Sequence, residues 1–233
     1  MKKQLLIMIV LFVGMGSIFG QAVSDRNIIP VAVNLNQVLR MTITNGGNIE
    51  FVFNTIDEYK NGISGDVSAG TPANTAASEP MYKTDFTVAS STRWKITYGS
   101  EQATFVGVDN PANTGLALDN VGFTLVSNGT HIFDAAGKNT TAGAELWSAP
   151  ILGTEANLSA LEAYPGAAPL IEDNDDDIAN AGDVTDNSFT ITWRCGTAEA
   201  GAVNTMNAEA LIEQSIVPDR YVTNVLFELS VDN

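Results

Sequence analysis

The sequence predicts an all-β protein: an antiparallel β-sandwich with one or two short helices in its connections. Three observations carry that expectation. Apolar and polar side chains alternate with period two along most of the chain. The alternating runs are short and are divided by Gly, Asn and Asp turns. Helical spacing occurs in only two places. Roughly ten such runs in 233 residues suit a sandwich with one polar face per sheet.

The N-terminus comes first and reads as an export signal. Lys2 and Lys3 open it, residues 5–13 are unbroken apolar, and small residues follow to a Gly20-Gln21-Ala22 cleavage pattern. The apolar run is well short of the ~20 residues that span a bilayer, so no transmembrane span is expected. The signal region also lacks the Cys that a lipoprotein needs. The expected organisation is a signal peptide at 1–22 and a single β-sandwich domain at 23–233, beginning with a strand extension at 23–36. In that extension Ile29, Val31, Val33 and Leu35 share one face, and Pro30 suits an edge strand.

The next runs follow in chain order. Leu39, Met41 and Ile43 alternate with polar residues. Across "TNGGN", Ile49, Phe51 and Phe53 do the same, and the Asn-Gly-Gly step predicts a hairpin between the two runs. Phe86 and Val88, then Trp94, Ile96 and Tyr98, supply two further strands. "NVGFTLVSNGTHIF" gives Val121, Phe123 and Leu125, an Asn-Gly turn and a return through Ile132. In "SFTITWR", Phe189, Ile191 and Trp193 oppose Thr190, Thr192 and Arg194. Tyr221, Val225, Phe227, Leu229 and Val231 end the series. The two helical expectations are residues 157–166, with an Asn cap and a Pro-Gly stop, and 207–216, with an Asn cap and a Leu211, Ile212, Ile216 stripe. Residues 62–80, small, polar and without aromatics, read as a long loop.

Charge narrows the function classes. The chain has 27 acidic and 11 basic residues, and loss of the signal leaves 9 basic ones and a charge near −18. Nucleic acid and anionic lipid need a basic patch and are not expected partners. Cys195 is the only cysteine, so no intramolecular disulfide forms, and its place after an apolar run marks a buried, inert thiol.

Few residues suggest chemistry. In the acidic run 172–187, Asp173, Asp175 and Asp177 have the alternate spacing of a calcium loop, with Asp183 and Asp186 as further oxygen donors. Ile178 and Val184 occupy the positions where an EF-hand needs Gly and Glu, so an irregular Ca2+ loop stands beside a solvated acidic loop. His131 is the only histidine, which excludes a His-rich metal site, and with no G-x-S-x-G elbow it reads as a turn residue. No catalytic constellation is apparent, and no enzyme activity is expected. Trp94 and Trp193 lie on the apolar phase of their strands and belong to the core. Trp147 has no such phase and is the candidate carbohydrate contact.

The stretches "NSFTITWRCGT" (187–197), "PDRYVTNVLFELS" (218–230) and "DFTVASSTRWKIT" (85–97) resemble pilin-like secreted β-sandwich surface proteins of Bacteroidota. They cover under a fifth of the chain. The chain departs from chaperone–usher pilins in having no disulfide, and from lipoprotein pilins in having no leading Cys. The resemblance implies a cell-surface or extracellular filament subunit, a homo-polymer assembled by β-strand addition. The alternative is a secreted calcium- or carbohydrate-binding adhesive module, and a hydrolase comes third.

Overall fold

A computed structural model of the chain describes residues 30–64, 82–131, 159–167, 169–172, 180–196 and 206–232. The chain falls into two units, Met1–Asn36 and Gln37–Asn233. In the first, residues 30–36 carry no strand or helix, and Val31, Val33 and Leu35 are exposed.

The second unit is all-β and antiparallel. Its strands are β1 (Leu39–Asn45), β2 (Ile63–Ser64), β3 (Lys83–Ser90), β4 (Trp94–Ser100), β5 (Val106–Gly107), β6 (Val121–Ser127), β7 (Ser159–Ala160), β8 (Ser188–Cys195), β9 (Tyr221–Val222) and β10 (Val225–Val231). The main sheet has the order β1-β3-β8-β6-β7, with β2 also on β8. A second sheet pairs β10 with β4, and a small third one pairs β5 with β9.

Register explains why the alternating residues meet. Phe86 lies opposite Phe189, while Leu125 and Phe123 lie opposite Ile191 and Trp193, so one face of the main sheet is aromatic and aliphatic throughout. That face packs on Trp94, Ile96, Tyr98, Phe227 and Leu229 of the second sheet. Aromatic rings cross the interface: Tyr98 meets Phe123 edge-on with centroids 5.3 Å apart, and Trp94 meets Phe189 at 6.1 Å. Such pairs add about 0.5–1.5 kcal/mol each beyond simple burial. Trp94 and Trp193 are core residues as their phase predicts.

Three local expectations are corrected. The "TNGGN" hairpin does not close. Gly46 turns with φ 65°, and a Cβ there would collide with the Lys83 carbonyl. The chain leaves β1 beside β3 instead of folding back, and residues 49–53 form no strand. Residues 157–166 are not a helix over the part described, 159–166. Ser159–Ala160 is β7, and the stretch beyond it hydrogen-bonds to β4, Tyr164 N–H to Ser100 O at 2.8 Å and Gly166 N–H to Tyr98 O at 2.8 Å. An otherwise open edge of β4 outweighs weak local helix signals. Of 207–216, only a 3-10 turn at Leu211–Glu213 is helical.

One α-helix among the described residues, α1 (Ile56–Asn61), falls where no helix is expected. Thr55 Oγ1 accepts from Glu58 N–H at 3.2 Å, and the Glu58 carboxylate accepts from the N–H groups of Asn54 and Thr55. This is a full capping box, and those backbone donors hold the Glu58 carboxyl below its ordinary value. Among the described residues no helix is long and apolar enough to cross a membrane, which says nothing of β-barrels.

Candidate assembly site: an open seam between the sheets

Among the described residues the core has a half-buried side. The apolar residues only partly buried against it are Leu39 and Met41 of β1, Ile49, Phe51 and Phe53, Val225, Phe227 and Leu229 of β10, and Phe105. All but Phe105 come from β1, β10 and the segment following β1. β1 and β10 lie beside each other, one at the edge of each sheet, so these residues mark a seam.

Hydrogen-bond phase shows that each seam strand is paired on one side only among the described residues. On β4 the even residues bond to the segment 162–171: Ser100 N–H to Glu162 O at 2.6 Å and Leu170 N–H to Ile96 O at 2.7 Å. Its odd residues therefore face β10, as Glu101 N–H to Asn224 O at 2.8 Å confirms. Within the β10–β4 register, this turns the backbone of Leu226, Glu228 and Ser230 towards β4. The N–H and C=O groups of Val225, Phe227, Leu229 and Val231 point the other way, because bonding direction alternates along a strand. They have no hydrogen-bond partner among the described residues. In β1, Ser91 N–H bonds to Val38 O at 2.9 Å, so even residues face β3 and the backbone of Leu39, Met41 and Ile43 faces outward.

Beside β10 the seam opens into a cleft of about 680 Å³. Phe51, Phe53, Trp193, Leu211, Val225 and Phe227 give it an apolar lining. Phe51 is held by stacking on Tyr82, centroids 5.0 Å apart and planes 3° apart. Phe53 leans on Tyr59 of α1 at 5.3 Å. Cys195 also borders the cleft but is buried, and burial pushes its thiol up to about 12. It is an inert thiol at neutral pH.

The residues singled out from sequence fall in several places. Of the extension, Val31, Val33 and Leu35 are described and exposed; Ile29 lies outside the described residues. Asp173, Asp175, Asp177 and Trp147 also lie outside them, as does Ile132. Asp183 Oδ1 accepts from Thr185 N–H at 2.6 Å and from Asp186 N–H at 3.3 Å. Asp186 accepts from Thr130 Oγ1 at 2.6 Å, the first cause of its lowered pKa, with Asp183 N–H next and nearby His131 adding to it. These carboxylates close a turn, and among the described residues no three metal-ligating side chains converge. His131 sits half-buried at that turn with Nδ1 3.0 Å from Asn187 Oδ1. The seam was not visible as a site in the sequence, although the alternation at 49–53 and 225–231 names the side chains that line it.

No protein-family model matches the chain, and no curated protein sequence matches it.

Proposed function

We propose that the protein is a structural subunit of an extracellular filament, in which residues 27–35 of one copy add as a strand to a sheet edge of the next. The supporting observation is the outer edge of β10, unpaired among the described residues, whose inward side chains are only half-buried. An open, regular, apolar edge is an aggregation hazard that stable monomers blunt with charge, proline or a covering element. Val225, Phe227, Leu229 and Val231 bring neither charge nor proline to the inward phase, and no strand pairs with their outer edge among the described residues.

The extension has the matching chemistry. Ile29, Val31, Val33 and Leu35 alternate with Pro30, Ala32 and Asn34, and Val31, Val33 and Leu35 are exposed where the subunit is seen alone. Burying four aliphatic side chains is worth roughly 1.5–3 kcal/mol each before ordering costs, while main-chain bonds add register and specificity. Charge at Val31 or Val33 (Val31→Asp, Val33→Asp) is expected to abolish polymerisation seen by light scattering. Asn34→Ser, on the opposite phase, is expected to leave it intact. Equal behaviour of the two classes would remove the support for strand addition.

A further inference from the structure

Residues 48–53 present a contradiction that the filament reading does not explain. Ile49, Phe51 and Phe53 are half-buried while Asn48, Glu50 and Val52 are exposed, the burial rhythm of a strand on a core. Yet no N–H of residues 47–53 has a hydrogen-bond partner among the described residues. The segment lines the same cleft as Val225 and Phe227 of β10. It thus supplies a second row of N–H groups, unpaired among the described residues, to the cleft that Val225 and Phe227 also line.

The geometry points to a two-sided acceptor: residues 48–53 are a latent strand that pairs with an incoming chain held between them and β10. A small apolar molecule would use the cleft's volume but neither row of backbone groups, so the geometry favours an extended peptide. The occupant is the 29–35 segment of a second copy, an assignment that rests on the filament reading. It is favoured by charge: the whole chain carries −16, so copies repel, but residues 27–36 contain no ionisable side chain and alternate in the required phase. Addition of that strand converts 48–53 from an irregular wall into a sheet edge.

Amide hydrogen exchange with residue resolution tests this. The soluble full chain is compared alone and with excess synthetic peptide of residues 27–36, and filaments are sought in parallel by electron microscopy. At least tenfold slower exchange in both 48–53 and 225–231, with no effect of a scrambled peptide, is the expected result. Slowing confined to 225–231 overturns the two-sided acceptor and leaves strand addition standing. Slowing in neither segment at saturating peptide, or equal slowing by the scrambled peptide, also overturns it. Slowing in both, with no filament formed by the full chain in the absence of peptide, keeps the acceptor and overturns the polymer reading.

Discussion

Arg220 Nη2 lies 3.4 Å from Glu50 Oε1, an ion pair between two residues that line the cleft. Both side chains are more than half exposed, so solvent screens the pair and its worth is at most about 1 kcal/mol. Phe51, stacked on Tyr82, carries the wall instead. Glu50→Gln is expected to leave the melting temperature almost unchanged. Phe51→Ala is expected to cost about 2 kcal/mol, less than the 3–5 of a fully buried Phe. Denaturant titration of both variants checks the ranking; a larger loss in Glu50→Gln would mean that charge holds the wall.

Asn180 is the most exposing single test of the core. Wholly buried, its side chain accepts from Trp94 N–H at 2.9 Å and donates to Trp94 C=O at 2.7 Å. It thereby serves the backbone of a buried strand end as a neighbouring strand would. Asn180→Ala deletes both bonds and is expected to cost about 2–4 kcal/mol, the sum of two buried groups losing these partners. A change under about 1 kcal/mol in equilibrium unfolding would contradict the assignment.

Cys195 is expected to resist alkylation in the native protein. Its thiol is buried, and the raised pKa leaves a negligible thiolate fraction at neutral pH. Mass spectrometry after iodoacetamide treatment is expected to show modification only once denaturant unfolds the chain. Rapid labelling of the folded protein would mean that the cleft admits reagent as far as β8.

Asp219 gives a pH dependence with a definite sign. Its carboxylate accepts from Asp109 N–H at 3.0 Å, Asn110 N–H at 3.2 Å, Arg220 N–H at 2.7 Å and Asn113 Nδ2 at 2.8 Å. The Asp109 bond leads the causes that hold the group below its ordinary 3.8. A depressed carboxyl stabilises the fold fully above its unfolded value and loses that contribution as pH falls through the folded one. The amide shifts of Asp109 and Asn110, followed by NMR from about pH 6 to about pH 2, are expected to move with a midpoint below 3.8. A midpoint above that value would contradict the bonding.

The strands β3, β4, β6, β8 and β10 were legible because each has one face on the core, and period-two burial is written directly in side-chain type. The same signal misleads at 49–53. Alternation there reports that Phe51 and Phe53 face the core, and burial rhythm carries no information about backbone pairing. The helix expected at 157–166 rests on local cap and spacing signals, which lose to the vacant edge of β4. Conversely, Thr55 and Glu58 carry a legible capping box that marks α1. The seam itself escaped the sequence because an open edge is a property of topology: it depends on which strands find neighbours, and no residue type encodes that.

The central claim is that the subunit's sheet is completed by the N-terminal strand of another copy. Its most direct test is negative-stain microscopy of the protein with and without residues 23–35. The account predicts regular fibres from the intact chain and none from the deletion, with the peptide of residues 27–36 restoring a stable, soluble monomer. Fibres that persist after the deletion, or an intact chain that stays monomeric at every concentration, would contradict it.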